Sequence, residues 1–186
     1  MKVELFPFQK RALSDLRMKT SEAIGGYKRT HSNQVVSFTA PTGAGKTIIM
    51  ASLIESIYFG DVDYPEQPEA IFIWLSDSPQ LNEQSKLKID LKADRIRLGQ
   101  CVTINDDSFD QELLDDGHIY FLNTQKLSMS SNLTKHSDTR QYTIWETLAN
   151  TAREKSDRLY VIIDDERVII RTKLEKPSKI KGVALI

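Results

Sequence analysis

The sequence predicts a three-layer α/β domain, with a mostly parallel sheet of about five strands and helices on both faces. Three observations predict this fold class. Short apolar runs alternate along the chain with longer segments of helical character. Several of the runs are apolar throughout, as in strands that are covered on both faces. Strands separated by helices are typical of βα units, and hence of parallel pairing.

The first half of the chain predicts two helices and two strands. Apolar residues recur near helical spacing over Leu5–Ile24, and we expect Gly25-Gly26 to end that helix. Gln34–Thr39 (QVVSFT) predicts a short strand, and a glycine-rich turn follows it. Thr47–Phe59 is long and apolar, which predicts a buried helix, and Ile71–Leu75 (IFIWL) predicts a strand buried on both faces.

The second half continues the alternation. The polarity of 128–139, without an apolar period, predicts a mobile loop. The elements predicted here are a polar-faced helix over Pro79–Ala93, strands over Cys101–Ile104 and His118–Leu122, a helix over Thr143–Glu154 and a strand over Leu159–Asp164.

Composition limits the class of protein more than its function. The chain has 186 residues, of which 40% are hydrophobic and 27% charged, so we expect one globular domain rather than disorder or coiled coil. The single cysteine, Cys101, excludes an internal disulfide and favours a reducing compartment. Without a signal-like or membrane-spanning apolar stretch, we expect a cytoplasmic protein with no membrane partner. The net charge of −1 does not demand nucleic acid.

The run from Ala40 to Thr47 (APTGAGKT) lies between a predicted strand and a predicted helix. Gly43 and Gly45 permit positive φ, so that backbone N–H groups can turn toward a phosphate. Lys46 can place its charge on the β- and γ-phosphates, and the Thr47 hydroxyl can bind Mg²⁺. The alternative is a glycine-rich turn with a chance lysine. The loop predicts ATP and Mg²⁺ as cofactors, with these binding residues: Pro41, Thr42, Gly43, Ala44, Gly45, Lys46 and Thr47.

A second candidate segment is Tyr160–Glu166 (YVIIDDE), a predicted strand that ends in carboxylates. One acid in such a segment holds Mg²⁺ and the next polarises the attacking water. The resemblance to a known family, carried by the motifs that follow, implies Asp165 and Glu166 as the pair, with Asp164 in a competing register. It implies Asp165 and Asp164 as metal candidates, and Glu166 as a catalytic candidate beside Lys46. The alternative is an ordinary core strand with an acidic exit.

The form A-x-x-G-x-G-K-T, with Ala40 in place of the usual first glycine, resembles motif I of superfamily 2 helicases and translocases. Leu5–Leu13 (LFPFQKRAL) resembles the upstream segment in which a glutamine reads adenine. The resemblance implies a RecA-like P-loop NTPase fold, with Gln9 on the base and Phe6 or Phe8 against the ring. The pattern is most similar to the motor subunits of type I and type III restriction enzymes and related DEAD/DEAH-box proteins.

Two further segments resemble nucleic-acid-binding motifs of that family. Ile71–Ser85 is similar to motif Ia, and Phe121–Leu127 is similar to a later segment at the end of a strand. The resemblance implies contacts with the nucleic-acid backbone that do not read sequence. The alternative is that these polar side chains cap the helix that follows each strand. The residues implied are Ser78, Gln84, Asn123, Thr124 and Gln125.

The end of the chain departs from the family pattern. Arg167 and Val168 stand where the D-E-A-H form has alanine and histidine, and nothing after them resembles the S-A-T of motif III. Residues 167–186 carry six bases and one acid, Glu175. We therefore expect residues 1–166 to be an incomplete RecA-like ATP-binding domain and 167–186 a basic C-terminal tail, through truncation or a lost reading frame.

The resemblance implies the ATP-binding N-terminal motor domain of an ATP-dependent DNA helicase or translocase. It would be weakly active or inactive as an isolated chain. Its implied partners are nucleic acid, with DNA preferred, a second motor domain and restriction–modification subunits. Two alternatives stay open: a nucleotide- or DNA-binding fragment without turnover of its own, and another P-loop NTPase.

Overall fold

The computed structural model describes residues 2–105 and 108–164, together with the backbone of 168–171. A single sheet forms the centre of this part of the chain. Its strands are β1 (Val35–Phe38), β2 (Ile71–Ser76), β3 (Cys101–Thr103), β4 (Ile119–Asn123), β5 (Leu159–Asp164) and β6 (Val168–Arg171). The spatial order is β1-β6-β5-β2-β4-β3.

The four strands from β5 to β3 in this order are parallel, which confirms the predicted α/β class. In the centre of the sheet Ile73 is opposite Val161 on one side and Tyr120 on the other. All six residues of β2 are buried, as its continuous apolar sequence predicts.

Among the described residues the sheet has six strands, where the sequence predicts about five, and β6 is antiparallel to both of its neighbours. Val168 is opposite Phe38 of β1 and also opposite Asp164 of β5. These four residues belong to the segment for which the sequence predicts a basic tail. The division of the chain at residue 166 stays a prediction.

The helices are α1 (Pro7–Thr30), α2 (Lys46–Phe59), α3 (Pro79–Lys92) and α4 (Ile144–Glu154). The prediction that Gly25-Gly26 would end the first helix is wrong. Ile24 and Tyr27 are both buried, so packing holds the last turns in helical form despite the low helix propensity of glycine. The helix ends at Thr30, and its C-cap, His31, has left-handed backbone geometry (φ 53°).

Two apolar clusters, one on each face of the sheet, confirm the predicted three layers. Phe72 and Trp74 of β2 belong to the cluster that includes residues of α1, α2 and α3. Ile73 of the same strand belongs to the opposite cluster, which includes Ile144 and Leu148 of α4. Side chains alternate between the two faces because successive residues of a strand point in opposite directions.

In the segment 128–139, for which the sequence predicts a mobile loop, one residue is anchored in the second apolar cluster. Leu133 is fully buried there, and the buried Arg140 donates to the carbonyl of Phe109. Within the described ranges, no helix has an apolar stretch long enough to cross a membrane.

Candidate functional site

The loop from Ala40 to Thr47 connects the end of β1 to the start of α2. Gly43 (φ 83°) and Gly45 (φ 81°) both have left-handed backbone geometry, which other residues adopt at a cost. Gly45 is the N-cap of α2, so the positive end of that helix lies at the loop. The Lys46 ammonium donates to the carbonyl of Ala40 at 3.2 Å. Such geometry suits the binding of a phosphate.

An open cleft of about 580 Å³ lies beside this loop, within the roughly 300–1,000 Å³ of typical small-molecule sites. It brings together the loop, the carboxyl ends of β2 and β5, and one side of α3. Two residues predicted from separate motifs, Asp164 and Gln84, therefore lie beside the predicted phosphate loop. The lining residues are Thr42, Gly43, Gly45, Lys46, Thr47, Asp77, Leu81, Gln84, Ser85, Lys88 and Asp164.

The buried amide of Gln9 supports the loop from behind. Its Nε2 donates to the carbonyl of Ala44 at 2.9 Å, and its Oε1 accepts from the backbone N–H of Phe6 at 3.0 Å. Each end of an amide can make a second hydrogen bond. The Phe6 and Phe8 rings stack with centroids 6.0 Å apart and are both exposed. Recognition of adenine by Gln9 stays a prediction, and its contact with the loop is a role that the sequence did not indicate.

We predict that Gly45→Ala destabilises the chain through this contact. A Cβ on Gly45 would lie 2.6 Å from Gln9 Nε2, so the amide must move away from Ala44. Gly99→Ala is the matched control, because Gly99 also has positive φ (98°) but open space around it. Both variants incur roughly 1–2 kcal/mol of backbone strain. In urea unfolding, Gly45→Ala should lower the free energy of unfolding by at least about 1 kcal/mol more than Gly99→Ala does. This difference is the typical net contribution of one hydrogen bond. Equal losses would contradict the supporting role of Gln9.

Asp164, the last residue of β5, is held in a fixed position at the cleft. Its Oδ2 accepts from Trp74 Nε1 and from Ser85 Oγ, each at 3.2 Å. Burial raises the pKa of the Asp164 carboxyl, while these two hydrogen bonds and the charges of Lys46 and Lys88 act in the opposite direction.

This arrangement suits Mg²⁺, because both described hydrogen bonds fall on one carboxylate oxygen of Asp164 and Thr47 lines the same cleft. The other two acids of the predicted segment, Asp165 and Glu166, lie outside the described residues. Within the described ranges, no group of three or more His, Cys, Asp and Glu side chains comes together as a complete metal site.

We predict that Asp164→Asn increases the free energy of unfolding at neutral pH. A carboxyl whose pKa is raised on folding binds more protons in the native state, so the stability of the wild type falls as pH rises from about 3.8 through the native value. A rise of one in pKa corresponds to about 1.4 kcal/mol. The amide oxygen can still accept from Trp74 and Ser85. Urea unfolding should therefore show that Asp164→Asn raises the free energy of unfolding at pH 7 and that this increase becomes smaller toward pH 4. Substitution of the exposed Asp77 in Asp77→Asn is the control. An increase that does not depend on pH would contradict the prediction.

The residues predicted to contact nucleic acid fall into two places. One place is the carboxyl ends of the paired strands β2 and β4, where Ser76 is opposite Asn123. Asn123 ends β4, and Ser78, Thr124 and Gln125 come after the two strands. Ser78 Oγ accepts from the N–H of Leu81, and Asn123 Oδ1 accepts from the N–H of Gln125 at 2.7 Å. Both therefore act as caps, which is the alternative given above, and their contact with nucleic acid stays a prediction. Gln84 lies apart from them, in the cleft.

Sequence reasoning did not find five residues that line or support the cleft: Trp74, Asp77, Leu81, Ser85 and Lys88. A weak signal existed for α3, since positions 81, 84, 85 and 88 recur at helical spacing on one face. No local signal shows that the indole of Trp74 reaches a carboxylate 90 positions further along the chain.

The parallel sheet, the glycine loop at the start of a helix and the acid at the end of a neighbouring strand define a class. These three features are those of a RecA-like P-loop fold. The protein is an ATP-binding motor domain of the superfamily 2 helicase type. The family model described as "Type III restriction enzyme, res subunit" matches residues 2–170, and the chain belongs to this family. The predicted resemblance is thus confirmed. Searches of curated proteins and of solved structures gave no match.

Proposed function

We propose that this domain is the ATP-binding N-terminal motor domain of an ATP-dependent DNA helicase or translocase of the restriction-enzyme type. The observation that carries the proposal is the shared cleft, in which Lys46 and Thr47 of the loop lie beside Asp164 of β5. A phosphate loop with an acid across the cleft is the arrangement that ATP-driven motors need for phosphoryl transfer.

The residues would divide the work as follows. Backbone N–H groups of the loop and the Lys46 ammonium would bind the phosphates of ATP. Thr47 and Asp164, with Asp165, would hold Mg²⁺, which neutralises phosphate charge when bound. Glu166 is proposed to orient the attacking water, and Gln9 to bind the adenine.

Apart from Gln84, the proposed DNA contacts lie at the carboxyl ends of β2 and β4. Gln125 Nε2 donates to the carbonyl of Asp77 at 3.3 Å, which ties the turn after β4 to the turn after β2. Asp77 also lines the cleft, so this hydrogen bond connects the proposed nucleotide site to the proposed DNA contacts. A second motor domain and restriction–modification subunits are the proposed partners, and the cytoplasm is the proposed compartment.

A second candidate is a nucleotide- or DNA-binding module without turnover of its own. It is favoured by one observation: the cations that line the described part of the cleft are two lysines, without an arginine. An arginine at the transferred phosphate is worth roughly 10³–10⁵ in rate in related enzymes.

The discriminating experiment measures ATP binding and ATP hydrolysis, with and without DNA, on this chain and on Lys46→Ala. Hydrolysis that DNA stimulates and Lys46→Ala abolishes would support the motor domain. Binding that Lys46→Ala weakens, with no hydrolysis, would support the module without turnover. If the wild type binds no ATP, the motor domain fails, and if it binds neither ATP nor DNA, both candidates fail.

A further inference from the structure

Helix α3 presents a continuous stripe of side chains to the nucleotide cleft. The stripe consists of Leu81, Gln84, Ser85 and Lys88, all of which line the cleft. Their spacing of three, four and seven residues from Leu81 places them on one face of the helix. The proposed function assigns the phosphates to the loop and the metal to β5, and gives this third wall no role in binding ATP.

The stripe is fixed in place by its middle residue. Ser85 is buried, and its hydroxyl donates to Asp164 Oδ2 at 3.2 Å, which holds α3 against the end of β5. Lys88 follows Ser85 by three residues, so their Cβ atoms lie about 5–6 Å apart. The Cβ of Lys88 is therefore about one helical turn from Ser85, which contacts Asp164.

The Lys88 side chain is not engaged with another residue of its helix. Within the described part of the chain the Lys88 ammonium takes part in no hydrogen bond or ion pair, whereas the Lys86 ammonium on the same helix is paired with Asp90 at 2.7 Å. Lys88 is exposed and lines the cleft. Its ammonium can therefore turn toward a ligand without losing a contact.

The charges of the cleft also call for a second cation. Among the described residues, two carboxylates, Asp77 and Asp164, line it together with one lysine of the loop, Lys46. The charges of both Lys46 and Lys88 act on Asp164, which places both ammonium groups within electrostatic reach of that carboxylate. An anionic triphosphate entering beside two carboxylates is favoured by positive charge from both walls.

We propose that Lys88 is a second phosphate-binding residue of this site, directed at the terminal phosphate of ATP. The loop and the start of α2 bind the phosphates nearest to them, and α3 lines the cleft beside the acid that would hold the metal. Lys88 thereby distinguishes ATP from ADP, because only ATP carries the phosphate that it contacts. The inference rests on the proposed binding of ATP.

The test is the affinity of the full chain for Mg-ATP and for Mg-ADP, measured by isothermal titration on the wild type, Lys88→Ala and Lys92→Ala. Lys92 is the matched control, since it is an exposed lysine on the same helix and does not line the cleft. Lys88→Ala should weaken ATP binding roughly tenfold or more, the scale of a charge-assisted hydrogen bond, and change ADP binding little. Lys92→Ala should change neither, and Lys88→Arg should restore ATP binding.

An unchanged ATP affinity in Lys88→Ala would overturn the proposal, and so would an equal loss for ATP and ADP. Circular dichroism of each variant checks the fold, which an exposed lysine without contacts should not disturb. Lys46→Ala is measured in parallel, because its result tests the proposed function separately. If Lys46→Ala weakens ATP binding and Lys88→Ala does not, the function stands and the inference fails. If the wild type binds neither nucleotide, both fail.

Discussion

Lys46→Ala is expected to weaken Mg-ATP binding by up to roughly a hundredfold and to abolish any hydrolysis. A hydrogen bond to a charged group contributes about 1.5–3 kcal/mol, and 1.4 kcal/mol is a factor of ten in affinity. The Lys46 ammonium lies at the start of α2 and lines the cleft, where its charge adds to that of the helix terminus.

Isothermal titration with Mg-ATP measures this loss directly. Lys28→Ala is the control, because Lys28 is an exposed lysine in the last turn of α1 and does not line the cleft. Its substitution should leave ATP binding unchanged. Wild-type affinity in Lys46→Ala would contradict the assignment of the loop to the phosphates.

The second large effect concerns turnover, which we expect to stay below about 1 s⁻¹, the low end of typical enzymes, even with saturating DNA. Phosphoryl transfer depends on positioning and charge, and an arginine at the transferred phosphate raises the rate by roughly 10³–10⁵. Among the described residues that line the cleft, the cations are Lys46 and Lys88 only. Neither presents the planar, forked donors of an arginine.

Steady-state ATP hydrolysis by the purified chain, with single- and double-stranded DNA, checks this expectation. The Lys46→Ala chain prepared in the same way gives the background from contaminating enzymes. A rate of about 1 s⁻¹ or above that exceeds this background would show that the chain carries a complete catalytic site.

The sequence predicts best those elements that consist of one continuous run of apolar, buried residues. The strand predicted over Leu159–Asp164 has those bounds in the structure, and the predicted helix Thr47–Phe59 begins one residue earlier, at Lys46. A strand in the middle of a three-layer fold is apolar at every position, so its sequence alone identifies it. The phosphate loop is equally local, because its geometry depends on two glycines and on the helix that follows them.

The features that the sequence does not predict depend on contacts between distant segments. Helix α1 continues past Gly25 because Tyr27 is buried, and that burial is set by the fold rather than by local propensity. Ser85 and Asp164, separated by 79 positions, meet only when α3 packs beside β5. Lys88 belongs to the site for the same reason, since nothing in its neighbours distinguishes it from Lys86.

Strand β6 connects the strand that leads into the phosphate loop to the rest of the sheet. Among the described residues, β1 is joined to the sheet only through β6, a strand of four residues that pairs with β5 on its other side. Local opening of a protein proceeds in cooperative units, and the amides of β1 cannot stay protected by the sheet once β6 separates from it. The strand that leads into the phosphate loop therefore shares the opening free energy of β6, and its amide protons exchange through that event rather than through global unfolding of the four parallel strands.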